Sequence, residues 1–350
     1  MPYITEIFSA PSPYIMEEDI QALQSYLTIP RDIAIIAHRN PDGDALGSSL
    51  GLQLFLERMG HSVTVVMPSE APNSFGFLPS IGQMVIFDLR HDDARAYIDN
   101  ADCIFCLDFN ALDRIDKLGE NVQFAEGKKV LIDHHLDPEP FADHMFSDTA
   151  ASSTCELVYK FIHDLGKQDL INVQIGECLF TGLITDTGSF SYATRPYTYE
   201  VAAGLKAVGV DDYLLQDAIH NSLKEKHLRL LGHCLANRME VIHEYGVAII
   251  HLTRQDYLDF DIQRGDTEGI VNQMLKMKNV QVAAFITEQP TIVKLSLRSK
   301  GEISVQQIAA NHFNGGGHRN ASGAGVYAKL PDVIERFKGV LPRYLQKVIV

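Results

Sequence analysis

Four short segments of the chain end an apolar run on residues that can carry chemistry: IAIIAHRNPDGDALGS, CIFCLDFN, VLIDHHLDP and GLITDTGSF. Together they supply His38, Asp42, Asp44, Asp108, Asp133, His134, His135 and Asp186. Taken alone, each has a plain structural use. Asn-Pro and Asp-Gly are ordinary turn dipeptides, an aspartate at a strand end can cap the next helix, and DHH is only three letters. All four, however, close strand-like or helix-like runs at the end where α/β proteins assemble their sites. Gathered at one sheet edge, so many carboxylates repel one another and hold protons unless cations neutralise them. Carboxylates with a minority of imidazole and no thiolate suit Mg²⁺ or Mn²⁺ better than structural zinc. The ligand count exceeds what one octahedral ion with water positions needs, so the expectation is two ions.

Two such ions share a water, lower its pKa and stabilise both the attacking and the leaving oxygen of an in-line phosphoryl displacement. The sequence carries no phosphate-binding loop of the form GxxxxGK[ST].

The elements that must position these residues follow from the apolar periodicity. Strand-length runs at 33–37, 63–67, 103–107 and 129–132 alternate with helical patterns at 48–60, 152–166 and 171–186, which is the pattern of an α/β domain with a mainly parallel sheet flanked by helices. Ser153 and Glu156 have the spacing of a capping box. Past Tyr192 the segments YATRPYTYEVAAGLKAVG and LKEKHLRLLGHCLANRM read as connecting helices. A smaller α/β unit then begins, with strands expected at 247–252, 280–286 and 292–299 and helices in IVNQMLKM and SVQQIAANHF. The division expected is 1–195, a helical linker over 196–239, and 240–350.

Composition narrows the partners. With 30 Lys and Arg against 45 Asp and Glu, the formal charge of −15 disfavours broad binding of long nucleic acid. The N-terminal stretch lacks a basic and apolar leader pattern, and no run approaches the length of a membrane span, so a soluble cytoplasmic protein is expected. The 5 cysteines are odd in number and scattered, which fits reduced, buried thiols, and the spacing of Cys103 and Cys106 puts them on opposite faces of a strand. In the C-terminal part, Gly315, Gly316 and Gly317 let backbone approach a phosphate or sugar closely, with His318 and Arg319 as added donors, although a triple glycine is by itself an ordinary loop. From Ile292 to Arg319 the basic residues Lys294, Arg298, Lys300 and Arg319 outnumber the acid Glu302, a local surplus suited to a short anionic ligand. Asp113 and Arg114 read as an exposed ion pair or as further lining of the site, and His312 is ambiguous.

HRNPDGDALGS, LDF, IDHH and ITDTGSF resemble the successive motifs of the DHH phosphoesterase family, and FNGGGHRNASGAG resembles the GGGH motif of the accompanying DHHA1 domain. The arrangement is similar to the subgroup that degrades very short RNA and 3′-phosphoadenosine-5′-phosphate (pAp). The resemblance implies a DHH domain and a smaller DHHA1 domain with the active site in the cleft that they form. It implies two Mn²⁺ ions, replaceable by Mg²⁺ or Co²⁺, held by His38, Asp42, Asp44, Asp108, His134 and Asp186, with Asp108 bridging. Asp133 and His135 would orient the ligand histidine or face the substrate, completing a catalytic Asp133, His134, His135 triplet. Arg298, Gly315, Gly316, Gly317, His318 and Arg319 would hold the remainder of a short RNA or small nucleotide. A homodimer stays open as the assembly. Cyclic di-AMP or its linear product pApA is the alternative substrate, and a non-catalytic nucleotide-binding module is the alternative class.

Overall fold

The computed structural model describes residues 17–347 apart from 222 and 264, and it divides into two compact units, Met1–Ser222 and Leu223–Val350. The first unit contains strands β1 (Asp32–Ala37), β2 (Ser62–Met67), β3 (Val85–Ile86), β4 (Cys103–Leu107), β5 (Lys128–Asp133) and β6 (His144–Ser147). Its helices are α1 (Glu17–Tyr26), α2 (Gly43–Arg58), α3 (His91–Asp99), α4 (Leu118–Phe124), α5 (Thr154–Asp164), α6 (Val173–Asp186), α7 (Pro196–Ala207) and α8 (Asp212–His220). The strands form one six-stranded sheet in the order β3-β2-β1-β4-β5-β6, and every pairing is parallel.

A parallel sheet needs helices on both faces, so its central strands are apolar throughout. The two-residue alternation of β1 and β4 divides them between two cores. Ile33, Ile35, Cys103, Phe105 and Leu107 pack with α2, α5 and α6, whereas Ala34, Ile36, Ile104 and Cys106 pack with α3 and α4. Cys103 and Cys106 therefore face opposite ways, as their spacing requires, and all 5 cysteines are free and buried. Helices α2 and α6 lie so close that a Cβ on Gly47 would sit 2.3 Å from the Cys178 carbonyl oxygen.

Two local expectations are corrected, and two strands were not anticipated. Helix α2 starts at Gly43, ahead of Ser48, because Asp42 caps it by accepting from the backbone N–H groups of Asp44 and Ala45. The capping box of α5 is half made. Ser153 Oγ accepts from Glu156 N, but the Glu156 carboxylate goes instead to Ser152, Arg195 and Thr198. Strands β3 and β6, of two and four residues, are too short to give a periodic signal.

The second unit carries α9 (Glu225–Asn237), β7 (Met239–Ile242), β8 (Val247–Leu252), α10 (Arg254–Asp259), α11 (Ile270–Leu275), β9 (Val282–Glu288), β10 (Val293–Ser299), α12 (Val305–Phe313), β11 (Gly316–His318), β12 (Ala321–Val326) and α13 (Leu330–Tyr344). Its sheet runs β11-β12-β10-β9-β8-β7 and is mixed, with only β8 and β9 paired in parallel. The triple glycine is not an open loop. Gly316, Gly317 and His318 form an edge strand opposite Gly323, Ser322 and Ala321, and a Cβ on Gly315 would meet the Gly323 carbonyl at 2.2 Å.

Candidate metal centre

The C-terminal edge of the parallel sheet brings the four sequence segments together. His38 follows β1, and Asp42 and Asp44 lie at the start of α2. Asp108 follows β4, Asp133 ends β5 with His134 and His135 behind it, and Asp186 ends α6. The turn after β1 is pinned by two hydrogen bonds of 2.9 Å, from Arg39 N to the Arg114 carbonyl and from Asn40 N to the Ser69 hydroxyl. Left-handed backbone is concentrated in these turns, at Asn40, Asp108, Asp137, Ser189 and Phe190. Asn and Asp tolerate such angles, whereas Ser189 and Phe190 hold them only where the surrounding structure enforces them.

Asp108 sits at the middle of the cluster. Its Oδ2 lies 3.4 Å from His38 Nε2, and its Oδ1 lies 3.5 Å from His134 Nε2 and accepts from Thr154 Oγ1 at 3.0 Å. Asp44 is fully buried and takes backbone N–H bonds from Thr154 at 2.6 Å and Cys155 at 2.9 Å, the first turn of α5. His134 Nε2 also lies 3.3 Å from Asp186 Oδ2, and its Nδ1 is 3.4 Å from the Ala151 carbonyl. His135 Nδ1 donates to Asp133 Oδ1 at 2.7 Å.

Three overlapping groups place their ligand atoms within 4.8 Å: His38, Asp42 and Asp108; Asp44, His134 and Asp186; and Asp108, His134 and His135. The ion-pair partners of these carboxylates are all histidines. Burial pushes Asp44 up to about 8, with the Asp108 charge adding to it. Burial also holds Asp186 well above the usual carboxylate range, aided by Asp44 and Asp42. Asp108 goes the other way, because hydrogen bonds from His134 and His38 outweigh its burial. Burial would lower His134, yet its contacts with Asp108, Asp44 and Asp186 hold it well above the ordinary histidine value. Protons thus stand where cations would otherwise balance the charge. The buried Asp133 Oδ2 has no hydrogen-bond partner. A donor set rich in oxygen and imidazole, with negative charge in excess and a shared central carboxylate, fits divalent cations.

Composition and motif reading missed Thr154, Cys155 and Ala151, which hold the candidate ligands Asp44, Asp108 and His134 from outside. The Ser153 helix-start signal was the available clue, since a helix N-terminus presents N–H groups to a carboxylate. In the second unit, Arg298 Nη1 donates to the Leu297 carbonyl at 3.0 Å, and Arg319 is paired with Glu302. His318 is exposed on β11. Lys300 donates to the Met277 carbonyl at 2.9 Å, and His312 Nε2 lies 2.9 Å from the Tyr344 hydroxyl. Asp113 and Arg114 are both exposed, in a short 3₁₀ turn.

An all-parallel sheet delivers aspartates and histidines from four strand and helix ends to one cluster centred on Asp108, an arrangement able to hold divalent cations. Residues 32–183 match the DHH family, N-terminal domain, and residues 245–347 match the DHHA1 domain. The chain belongs to the DHH/DHHA1 phosphoesterase family. It is 30% identical to a probable bifunctional oligoribonuclease and PAP phosphatase of Streptococcus mutans, over 88% of this chain and 94% of that protein. It is 29% identical to the bifunctional oligoribonuclease and PAP phosphatase of Thermus thermophilus, over 90% of each chain. Among solved structures, an exopolyphosphatase-related protein of Bacteroides fragilis is 38% identical, with a TM-score of 0.92 over 94% of this chain and 97% of that one. Among the described residues, no helix is long and apolar enough to cross a membrane.

Proposed function

We propose that this protein hydrolyses short RNA oligonucleotides to mononucleotides and pAp to AMP, using two divalent ions, with Mn²⁺ as the working metal. The observation that carries the reading is the central Asp108, within 3.5 Å of His38 on one side and His134 on the other. His38, Asp42 and Asp108 would hold one ion, and Asp44, His134, Asp186 and the same Asp108 the other. When bound, a pair of ions supplies charge stabilisation at the phosphoryl oxygens and a water of lowered pKa. The protein's own part is to fix those ligands and keep the site largely buried. The bond from His135 Nδ1 to Asp133 Oδ1 fixes the proton on that nitrogen and the orientation of the ring beside the candidate ligands. We assign Gly315, Gly316, Gly317, His318, Arg298 and Arg319 to substrate contacts on the strength of their motif. The net charge of −15 favours short substrates over long ones.

The test is turnover of pAp, di- to pentanucleotides, longer RNAs, pApA and cyclic di-AMP by purified protein loaded with Mn²⁺. The expected result is AMP from pAp, mononucleotides from short RNA, and kcat/KM falling for RNAs beyond about ten residues. Full activity after thorough chelation, equal efficiency on 5-mers and 25-mers, or preferred turnover of cyclic di-AMP would overturn the reading.

A further inference from the structure

The segment from Asp148 to Cys155 touches three of the candidate ligands from outside. The Ala151 carbonyl lies against His134 Nδ1, the Thr154 hydroxyl donates to Asp108, and the Thr154 and Cys155 amides donate to Asp44. Each Asp44 oxygen spends one lone pair on an amide and keeps another for a cation. The placement of this one segment therefore sets the direction in which three ligands present themselves.

A guanidinium holds the segment. Glu156 is fully buried in the first turn of α5, and its Oε2 accepts from Ser152 Oγ and Thr198 Oγ1, both at 2.6 Å. Its Oε1 accepts from Arg195 Nε at 2.6 Å and Nη2 at 2.5 Å. Arg195 Nη1 donates to Asp148 Oδ2 at 2.8 Å. Asp148 in turn accepts from Ala150 N through Oδ1 at 2.9 Å and donates its own N–H to the Asp133 carbonyl at 3.2 Å. One planar fork thus grips both ends of the segment, Asp148 at its start and Glu156 just past its end. Lysine offers a charge but not this fixed set of donors. Arg195 is also the residue that precedes α7, at the far end of the turn that follows Asp186.

We propose that Arg195 is a positioning residue for the metal centre: by clamping Asp148 and Glu156 it fixes the segment that orients His134, Asp108 and Asp44, and so sets the affinity for divalent cations. The inference rests on the metal-dependent reading above. It is distinct from a plain contribution to stability, which would lower the melting temperature and leave the affinity of the folded protein unchanged.

The experiment is calorimetric titration of metal-stripped wild type, Arg195→Ala, Arg195→Lys and Asp148→Asn with Mn²⁺ in the absence of substrate, beside a thermal melt of each. Loss of partners that orient metal ligands weakens binding about 10- to 100-fold. The expected result is a dissociation constant at least tenfold higher for Arg195→Ala, with Arg195→Lys between it and wild type. If Arg195→Ala does not fold, Arg195→Lys and Asp148→Asn decide, each expected to be several-fold weaker than wild type. A folded Arg195→Ala with a lower melting temperature and wild-type affinity overturns the proposal, as does wild-type affinity in both of the milder variants. Wild type that binds Mn²⁺ but cleaves no nucleotide defeats the functional reading and leaves the clamp to be judged on the affinities. Wild type that takes up no divalent ion overturns both.

Discussion

Gly182 stands one turn before Asp186 on α6, where a Cβ would lie 2.3 Å from Cys155 Sγ and 2.5 Å from Asp44 Oδ1. In a helix interior Gly→Ala ordinarily stabilises by up to about 1 kcal/mol. At this position the methyl group has nowhere to go. Asp44 Oδ1 would have to retreat by about half an ångström, against two short amide bonds that hold the carboxylate in place. Overpacking of this kind costs about 1–3 kcal/mol. Gly182→Ala should therefore destabilise the first unit by about 1–2 kcal/mol after the propensity gain, and weaken Mn²⁺ binding about tenfold or more because a ligand is displaced. Gly232 in α9 and Gly339 in α13 are the controls, since nothing lies within 4 Å of a Cβ at either. Their alanine variants should stabilise the second unit by up to about 1 kcal/mol. Urea unfolding of the metal-free protein, followed unit by unit, measures the first quantity, and calorimetric titration measures the second. Gly182→Ala that is as stable as the controls and binds Mn²⁺ like wild type would refute the packing argument.

Asp108→Asn keeps the left-handed backbone that asparagine tolerates and removes only the charge, so it isolates the bridging role better than alanine. Activity should fall at least about 100-fold, the order seen when one preorganised electrostatic partner is lost. Near-normal rate with normal metal content would count against bridging. In the second unit, burial pushes Asp256 up, but hydrogen bonds from Arg238, Thr253 and His233 hold it down to about 2. A carboxylate depressed in the folded state stabilises above its unfolded pKa of about 3.9 and loses that contribution as pH falls toward 2. Asp256→Asn should remove about 2 kcal/mol of pH-dependent stability in that window. A wild-type-minus-variant difference that stays flat from pH 5 to 2 in denaturant unfolding would show the argument wrong.

The strands that carry the ligands were legible because burial on both faces makes them near-continuous apolar runs, and β1, β2, β4 and β5 lie within a residue of the expected spans. Their loaded ends were legible because ionisable residues after such runs need a reason. The start of α2 was not, since HRNPDGD reads equally well as a turn, and only the Asp42 bonds to the next amides turn it into a helix cap. The Glu156 partner was hidden for a related reason. Local spacing favours a return bond within the turn, and a residue far along the chain, Arg195, wins by offering a charged fork. The edge strand at Gly316 was invisible because glycine carries no apolar signal, and its pairing with Ala321 to Gly323 is a tertiary choice.

The order of the ligands along the chain has a consequence for how the protein comes into being. His38 opens the set and Asp186 closes it, so no partial product of synthesis that stops short of α6 can hold the completed cluster. Until then the early strands carry carboxylates with neither their cations nor the α5 amides to balance them. Parallel strands joined by long crossovers are already slow to pair, because distant segments must meet before any contact rewards them. On the two-ion reading proposed above, filling of the complete site would be a late event that ties together four remote stretches and favours the finished unit over shorter intermediates.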